Sequence, residues 1–514
     1  MDNKNYYITT PIYYPSGNPH MGHAYTSIVA DVFARFKRLD GYNVFFLTGT
    51  DEHGLKIQKA AEANNQKPKD FCDNISKVFK DLSKSLNLSN DDFIRTTEDR
   101  HYKAVQFLWD RLVSKGYIYL SKYKGWYSVS DEAYYNEDEI VEKDGKKISI
   151  ISETLVEWVE EDSFFFKLSS FQEKLLEFYN KNPEFILPIA RKNEVISFVK
   201  RGLKDLSVSR KSFSWGIKVP NNKKHVIYVW LDALTNYISA LNYPNLEDQL
   251  FKDFWPATLH IIGKDILRFH AIYWPAFLLA ADIKPPNRVY GHGWILSDKE
   301  KMSKSKGNIL DPLEMIKIYG LDQLRYYLIK EVSFGNDGNI SNENIENCIN
   351  SDLANNYGNF CQRTFSFAEK NCKNMVPSNI DFNSEDLKIL NSFSNNITKI
   401  RSLMDNQQLN EYVKFIIDKS FDANKYFNDE APWNKKDNKK RLNTIVYVSL
   451  EIIRKISILL LPIIPRSANK ALTSLNLNTK TFKLDSITDH FIIKPGSKLN
   501  NQGILFKKIE KSDG

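Results

Sequence analysis

Apolar and polar positions alternate with two different periods in the first fifty residues. Tyr6, Tyr7 and Ile8 open a stretch rich in Tyr and Ile that runs to Tyr14 and ends in the turn formers Pro15-Ser16-Gly17-Asn18-Pro19. This predicts a strand followed by a sharp loop. From His20 onward, Tyr25, Ile28, Val29, Val32, Phe36 and Leu39 recur at helical spacing, with Gly41 as the C-cap,. Val44-Phe45-Phe46-Leu47-Thr48 then predicts a second strand. Strand, helix, strand is the opening of a parallel doubly wound α/β sheet.

The pattern breaks over residues 117–227, where aromatic strands, turns and charged hairpins predict an α+β insertion. Buried-strand character resumes at Tyr228-Val229-Trp230 and at Leu259-His260-Ile261-Ile262-Gly263. After about Ser341 the strands give way to long helical patterns, for example Ile445, Val448, Ser449, Ile452 and Ile456, and the carboxy-terminal third reads as an all-α bundle,.

Length and composition narrow the class. A chain of 514 residues exceeds one core, and 42% hydrophobic and 13% aromatic residues describe a folded chain,. The 71 basic and 63 acidic residues leave a net charge of +8, which permits a polyanionic partner without requiring one,. Ile458 to Ile464 is interrupted by Pro462, and such runs fall well short of the ~18 apolar residues that span a bilayer. The amino terminus passes directly into Tyr6-Tyr7-Ile8, leaving no room for a leader, so a cytoplasmic protein is expected,. Cys72, Cys348, Cys361 and Cys372 form no C-x-x-C pair, so no disulfide framework and no structural zinc are expected,.

Two short motifs carry chemistry. His20-Met21-Gly22-His23 sits where a loop meets a helix amino terminus, a place whose unpaired N–H groups suit phosphate,. Gly22 lets a planar base approach the backbone, and the imidazoles can donate hydrogen bonds to phosphate oxygens in the transition state. Taken alone, the tetrapeptide fits two capping histidines equally well. Lys301-Met302-Ser303-Lys304-Ser305 is harder to dismiss as a solvated charged loop. With 6 Met in the chain, such a pentamer arises by chance on the order of 10⁻⁴ to 10⁻³ times per sequence. Its two ammonium groups suit a loop that closes over a triphosphate.

Together the motifs resemble the signature of the class I aminoacyl-tRNA synthetases, with Met21 at the usual Ile position. From Ile8-Thr9-Thr10-Pro11 to Gly503-Ile504-Leu505-Phe506-Lys507-Lys508-Ile509-Glu510 the chain resembles the methionyl-tRNA synthetases. The resemblance implies a Rossmann-like catalytic domain (1–116 and 228–292) split by the connective insertion (117–227), a lysine-motif and stem-contact region (293–345) and an anticodon-binding bundle (346–514). It implies activation of L-methionine by Mg-ATP and transfer to tRNA(Met), initiator and elongator, by a monomer, with initial attack by a 2′-hydroxyl and rejection of homocysteine.

On the same resemblance His20, His23, Lys301 and Lys304 are catalytic. Gly22, Gly263, Lys264, Asp265, Met302, Ser303 and Ser305 join them around ATP. Asp51, in Phe46-Leu47-Thr48-Gly49-Thr50-Asp51-Glu52-His53-Gly54, holds the substrate ammonium; a cap for the following helix is the alternative. A flexible thioether needs an aromatic box with a few polar tips, and the family's positions fall on Ile12, Tyr14, Trp230, Leu234, Tyr237, Ile266, Phe269 and His270. Asn359, Arg363 and Trp433 are implied to contact the CAU anticodon. Ser128 and Asp131 stand where many relatives carry the first zinc-binding cysteine pair, so a metal-free knuckle held by aromatic packing is expected, and no metal beyond that of Mg-ATP. A synthetase for another apolar amino acid, a tRNA-independent adenylate-forming ligase and a silent tRNA-binding paralogue are the competing readings.

Overall fold

Six strands pair in the order Asp92–Arg95, Asn43–Thr50, Asn5–Thr9, Leu259–Gly263, Val289–His292 and Ile186–Leu187. They belong to a computed structural model that describes residues 4–510 apart from 136, 144, 151, 298–299 and 302–309. The registers Leu47 with Asp92, Ile8 with Leu259, His260 with Val289 and Val289 with Ile186 are all parallel. Tyr7, Ile8, Phe46, Leu47, Ile261 and Ile262 are fully buried, as strands covered on both faces require. The edge strand Ile186–Leu187 comes from within the insertion. Strand order reverses between Asn5–Thr9 and Leu259–Gly263, and in such sheets ligands bind beyond the carboxyl ends of the strands at that switch point.

The chain divides into two compact units, one of residues 5–30 and 44–292, the other of residues 1–4, 31–43 and 293–514. The expected first helix is Met21–Leu39, and Gly41, at φ 85°, turns the chain after it,. The first strand ends at Thr9 rather than Tyr14. Pro11 has no N–H to donate to a ladder, and Tyr13 returns only as an isolated bridge to Thr50,. Tyr228-Val229-Trp230 is not a strand: Val229–Leu234 is helical, after a strand at Asn222–Ile227. A short continuous apolar run fits either element, and here the helix buries Val229, Leu231 and Leu234 together,. The insertion is built on a long antiparallel pair, Ile118–Ser128 with Glu157–Phe166.

In the second unit the last strand, Gly338–Ile340, pairs in parallel with Ile295–Ser297, and helices follow from Asn342. Lys439–Leu460 is buried along nearly all its length. Its charged residues are therefore paired: Arg454 donates to Glu451 at 2.7 Å and to the carbonyls of Ser486 and Asp489, both at 2.7 Å. Arg325, also fully buried, donates to Asp31 at 2.7 Å and to the carbonyls of Ile463 and Pro462 at 2.8 and 3.0 Å.

Candidate active site

The carboxyl ends of the central strands carry the polar residues. Thr9 leads into Ile12 and Tyr14, Thr50 into Asp51, and Gly263 into the short turn Lys264–Ile266. A Cβ on Gly263 would lie 2.6 Å from Asp265 Oδ1, so glycine here leaves room for that carboxylate as the side chain now lies.

At the start of the first helix the two histidines lock each other. The backbone N–H of His20 donates to His23 Nδ1, and that of Gly22 to His20 Nδ1, both at 3.0 Å. An accepting Nδ1 leaves the proton of each neutral ring on Nε2. The rings lie 3.8 Å apart, and a Cβ on Gly22 would come within 2.9 Å of His20 Cε1. Gly22 therefore makes room for the His20 ring itself. His23 also meets Tyr13 and Phe79 edge-on, and burial, then His20, pushes its pKa down. Two neutral N–H donors at a helix amino terminus suit phosphate oxygens.

An aromatic pocket is assembled beside the switch point. Trp230 and Phe269 stack face to face at 3.7 Å, and Trp230 Nε1 has no hydrogen-bond partner. Tyr237 OH lies 2.7 Å from His270 Nε2, and His270 Nδ1 lies 3.0 Å from the Ile266 carbonyl. The carbonyl can only accept, so Nδ1 carries the proton and Nε2 accepts from Tyr237. Burial lowers the His270 pKa to about 4, keeping the ring neutral. Leu234 is buried, while Ile12, Tyr14 and Ile266 are partly buried against the same core. His260, which the sequence shows only as a polar residue in an apolar strand, lies under Tyr237 with centroids 4.2 Å apart. Its Nδ1 is 2.7 Å from Thr9 Oγ1 and its Nε2 is unpartnered.

The carboxylates beside this pocket are treated unequally. Glu52 accepts from Arg95 at 2.6 and 2.9 Å, from Thr50 at 2.7 Å and from Thr97 at 2.6 Å. Asp51, next to it and 6% exposed, has an Oδ1 with no partner. It does not cap the following helix, whose N-cap is Gly54. Burial, then Asp232, with Glu132 and Glu52 adding, pushes the Asp51 carboxyl well above its ordinary range. Asp232 sits between two imidazoles, His53 Nδ1 at 2.7 Å and His101 Nε2 at 2.8 Å. Against the upward push of burial, these hold its carboxyl below the ordinary range. A buried carboxylate with one oxygen unpartnered, beside other carboxylates, suits a cation. Asp232, His53, His101 and Glu132 were not picked out from sequence. Asp232 is visible there only as a charge inside the apolar run Val229–Leu234.

The knuckle is cross-linked by hydroxyl groups. Asp131 Oδ2 accepts from Tyr135 at 2.7 Å, from Thr154 at 2.5 Å and from Ser152, and Ser128 Oγ lies 2.9 Å from Thr154 Oγ1. The expected aromatic packing is present among the described residues too, with Trp126 edge-on to Trp158 at 5.2 Å. A shared carboxylate supplies the cross-links because each hydroxyl can both donate and accept.

In the second unit Lys301 closes the short strand Glu300–Lys301. Its side chain, and Met302, Ser303, Lys304 and Ser305, lie outside the described residues. Asn359 and Arg363 share the helix Gly358–Asn371. Arg363 lies over the rings of Phe427 and Trp433 at 5.3 and 5.9 Å and donates to Asn428 at 2.7 Å. Trp433, on the short turn Pro432–Asn434 after left-handed Ala431, is 41% exposed.

Comparison with known proteins supplies the family. The family model for class I tRNA synthetases (M) matches residues 6–365, and that for the anticodon-binding domain of methionyl-tRNA ligase matches residues 376–514. The methionine–tRNA ligase of Rickettsia conorii is 50% identical over 512 residues, 99% of this chain and all of the relative, and that of Brucella melitensis is 50% identical over 92% of each chain. Mycobacterium tuberculosis methionyl-tRNA synthetase in complex with methionyl-adenylate superposes with a TM-score of 0.95, at 44% identity over 98% of this chain and 99% of that one. The apo form from the same organism gives 0.89 at 40% identity, over 100% of this chain and 99% of that one.

Proposed function

The chain belongs to the class I methionyl-tRNA synthetases, and from that premise we propose how its residues divide the work of joining methionine to tRNA. The reaction has two steps. The methionine carboxylate attacks the α-phosphorus of ATP, which enters as its magnesium complex, and pyrophosphate leaves. A ribose hydroxyl of the terminal adenosine of tRNA(Met) then attacks the adenylate carbonyl, and AMP leaves. The protein needs no nucleophile; it orients the reactants and stabilises charge.

In this assignment Asp51 takes the substrate ammonium, and the box of Ile12, Tyr14, Trp230, Leu234, Tyr237, Ile266, Phe269 and His270 takes the thioether chain. The observation that carries it is the buried, unpartnered Oδ1 of Asp51 beside an aromatic pocket. Gly22, Gly263, Lys264 and Asp265 border ATP. The Nε2–H groups of His20 and His23 donate to its phosphates as charge builds. By the match of Lys301-Met302-Ser303-Lys304-Ser305 to the family signature, that loop neutralises the departing pyrophosphate. Asn359, Arg363 and Trp433 read the anticodon, with Trp433 stacking on a base. The same proposal takes the chain to be a cytoplasmic monomer whose tRNA partners are the initiator and the elongator tRNA(Met) and that carries no resident metal.

Pyrophosphate exchange run with methionine, leucine, isoleucine, valine and cysteine tests the substrate. Methionine should dominate, and an equal rate with any other amino acid contradicts the assignment. Lys304→Ala should slow adenylate formation far more than it weakens methionine binding, whereas an unchanged exchange rate removes that residue from the chemistry.

A further inference from the structure

Glu132 belongs to the insertion, at the turn that follows the strand Ile118–Ser128, yet it is 3% exposed and its carboxylate reaches Tyr14, one of the residues assigned to the methionine site. Its Oε1 accepts from the Tyr14 hydroxyl at 3.3 Å and from the backbone N–H of Lys56 at 3.1 Å. Its Oε2 accepts from the Tyr127 hydroxyl, and its carbonyl accepts from Tyr228 at 2.8 Å. The single Tyr14 proton is shared, mainly with the carbonyl of His53 at 2.6 Å, so its contact with Glu132 is the weaker branch. One carboxylate from the knuckle thus touches a wall of the pocket and the segment that carries Asp51.

Three features show that this junction is built rather than incidental. Glu132 adopts φ 49°, a left-handed conformation that costs a non-glycine residue energy and persists only where its surroundings impose it,. Gly54, at φ 104°, is the one residue type that fits against it, since a Cβ there would lie 2.4 Å from Tyr14 Oη and 2.8 Å from Glu132 Oε1,. Gly54 gives the helix Leu55–Ala63 no side-chain cap, and Glu132 supplies the missing acceptor from outside the helix, at Lys56 N–H,.

Charge gives the junction its direction. Among the described residues Glu132 forms no ion pair; the side-chain groups that donate to it are tyrosine hydroxyls. The Arg210 guanidinium lies over the rings of Tyr127 and Tyr228, at 5.3 and 4.5 Å, so the tyrosines stand between the two charges. Glu132 therefore adds to the negative field around Asp51, in a place where low dielectric makes that field count.

We propose that Glu132 is a positioning residue for methionine activation: through Tyr14 and the Asp51 segment it holds the ammonium end of the amino acid, and it ties the metal-free knuckle to the pocket. This rests on the assignment of Asp51 and Tyr14 to the methionine site.

The test is methionine-dependent pyrophosphate exchange with the full chain and with Glu132→Gln, Tyr14→Phe, the double variant, Tyr127→Phe and Asp51→Asn, with melting temperatures alongside. Glu132→Gln should raise the methionine KM by about tenfold, the worth of roughly one charge-assisted hydrogen bond, with the ATP KM within about twofold. Its effect should shrink in the Tyr14→Phe background, because both changes cut one link. Tyr127→Phe cuts the knuckle side alone and should lower the melting temperature while moving the methionine KM less than Glu132→Gln does. The proposal is overturned if Glu132→Gln leaves the methionine KM unchanged, if the methionine and ATP KM values rise together, if the effects of Glu132→Gln and Tyr14→Phe add fully, or if Tyr127→Phe matches Glu132→Gln. Asp51→Asn separates the two layers: an unchanged methionine KM there overturns the pocket assignment itself, whereas a raised one with Glu132→Gln silent overturns only the positioning role.

Discussion

The proposed methionine pocket and the second unit bury their charged side chains differently. In the second unit Arg325 meets Asp31 and two carbonyls, and Arg454 meets Glu451 and two more. Arg441 engages Asp386 with two nitrogens, at 2.5 and 3.0 Å. In the pocket Asp51 Oδ1, Trp230 Nε1 and His260 Nε2 are left without partners. The contrast even divides neighbours, since Glu52 accepts four hydrogen bonds from Arg95, Thr50 and Thr97 beside the orphaned Asp51 oxygen. Burying a polar group costs free energy unless it is partnered. The second unit also leaves buried atoms open, among them Asp322 Oδ1, Asn356 Nδ2 and Thr364 Oγ1, so what sets the pocket apart is that Trp230 and His260, two of its open donors or acceptors, both lie in ring contact with His270.

Breaking a completed pair should produce the largest effect. Arg441→Met removes the cation paired with buried Asp386 and should cost about 3 to 5 kcal/mol of stability, read as a lower denaturation midpoint, with exchange kinetics intact well below the transition. Asp51→Asn should act in the opposite sense. It should raise the methionine KM by roughly tenfold to a hundredfold, since a charge-assisted hydrogen bond is worth about 1.5 to 3 kcal/mol, while stability holds, because burial and Asp232 already favour the neutral carboxyl in the empty pocket. Trp433→Ala should raise the tRNA KM by the worth of one stacked base, about 1 to 3 kcal/mol, with pyrophosphate exchange unchanged; an equal loss in both assays would remove it from tRNA recognition.

A smaller effect is set by pH. Unfolded His270 takes up a proton near 6.5, whereas the folded ring waits until about 4. The unfolded chain therefore binds more protons across that window. The ring's contribution to stability is complete above about 6.5 and is lost as pH falls toward 4. His270→Gln should flatten that part of the stability profile, as followed by thermal melts between those limits.

Much of this was legible in the sequence where function sits on contiguous residues. His20-Met21-Gly22-His23, the Asp51 segment and the parallel strand–helix–strand opening each announce themselves within a few positions. The rest depends on residues that meet only in the fold. Glu132 bonds Tyr14 across 118 residues and Asp232 meets His53 across 179, and no local spacing encodes either meeting. The knuckle's aromatic residues stand out in the sequence, whereas the hydroxyl groups that cross-link it are dispersed among common Ser and Thr. Tyr228-Val229-Trp230 was read as a strand because three apolar residues carry no period of their own.

The central claim, that the unpaired Asp51 carboxylate seats the methionine ammonium, is tested most directly by calorimetric titration of methionine across about pH 5 to 8. Burial, then Asp232, raises the Asp51 pKa in the empty pocket, and a bound ammonium favours the ionised form, so binding should release a proton and affinity should climb with pH before levelling off. Asp51→Asn should bind weakly with no such climb. Equal affinity of the two proteins, independent of pH, would contradict the account.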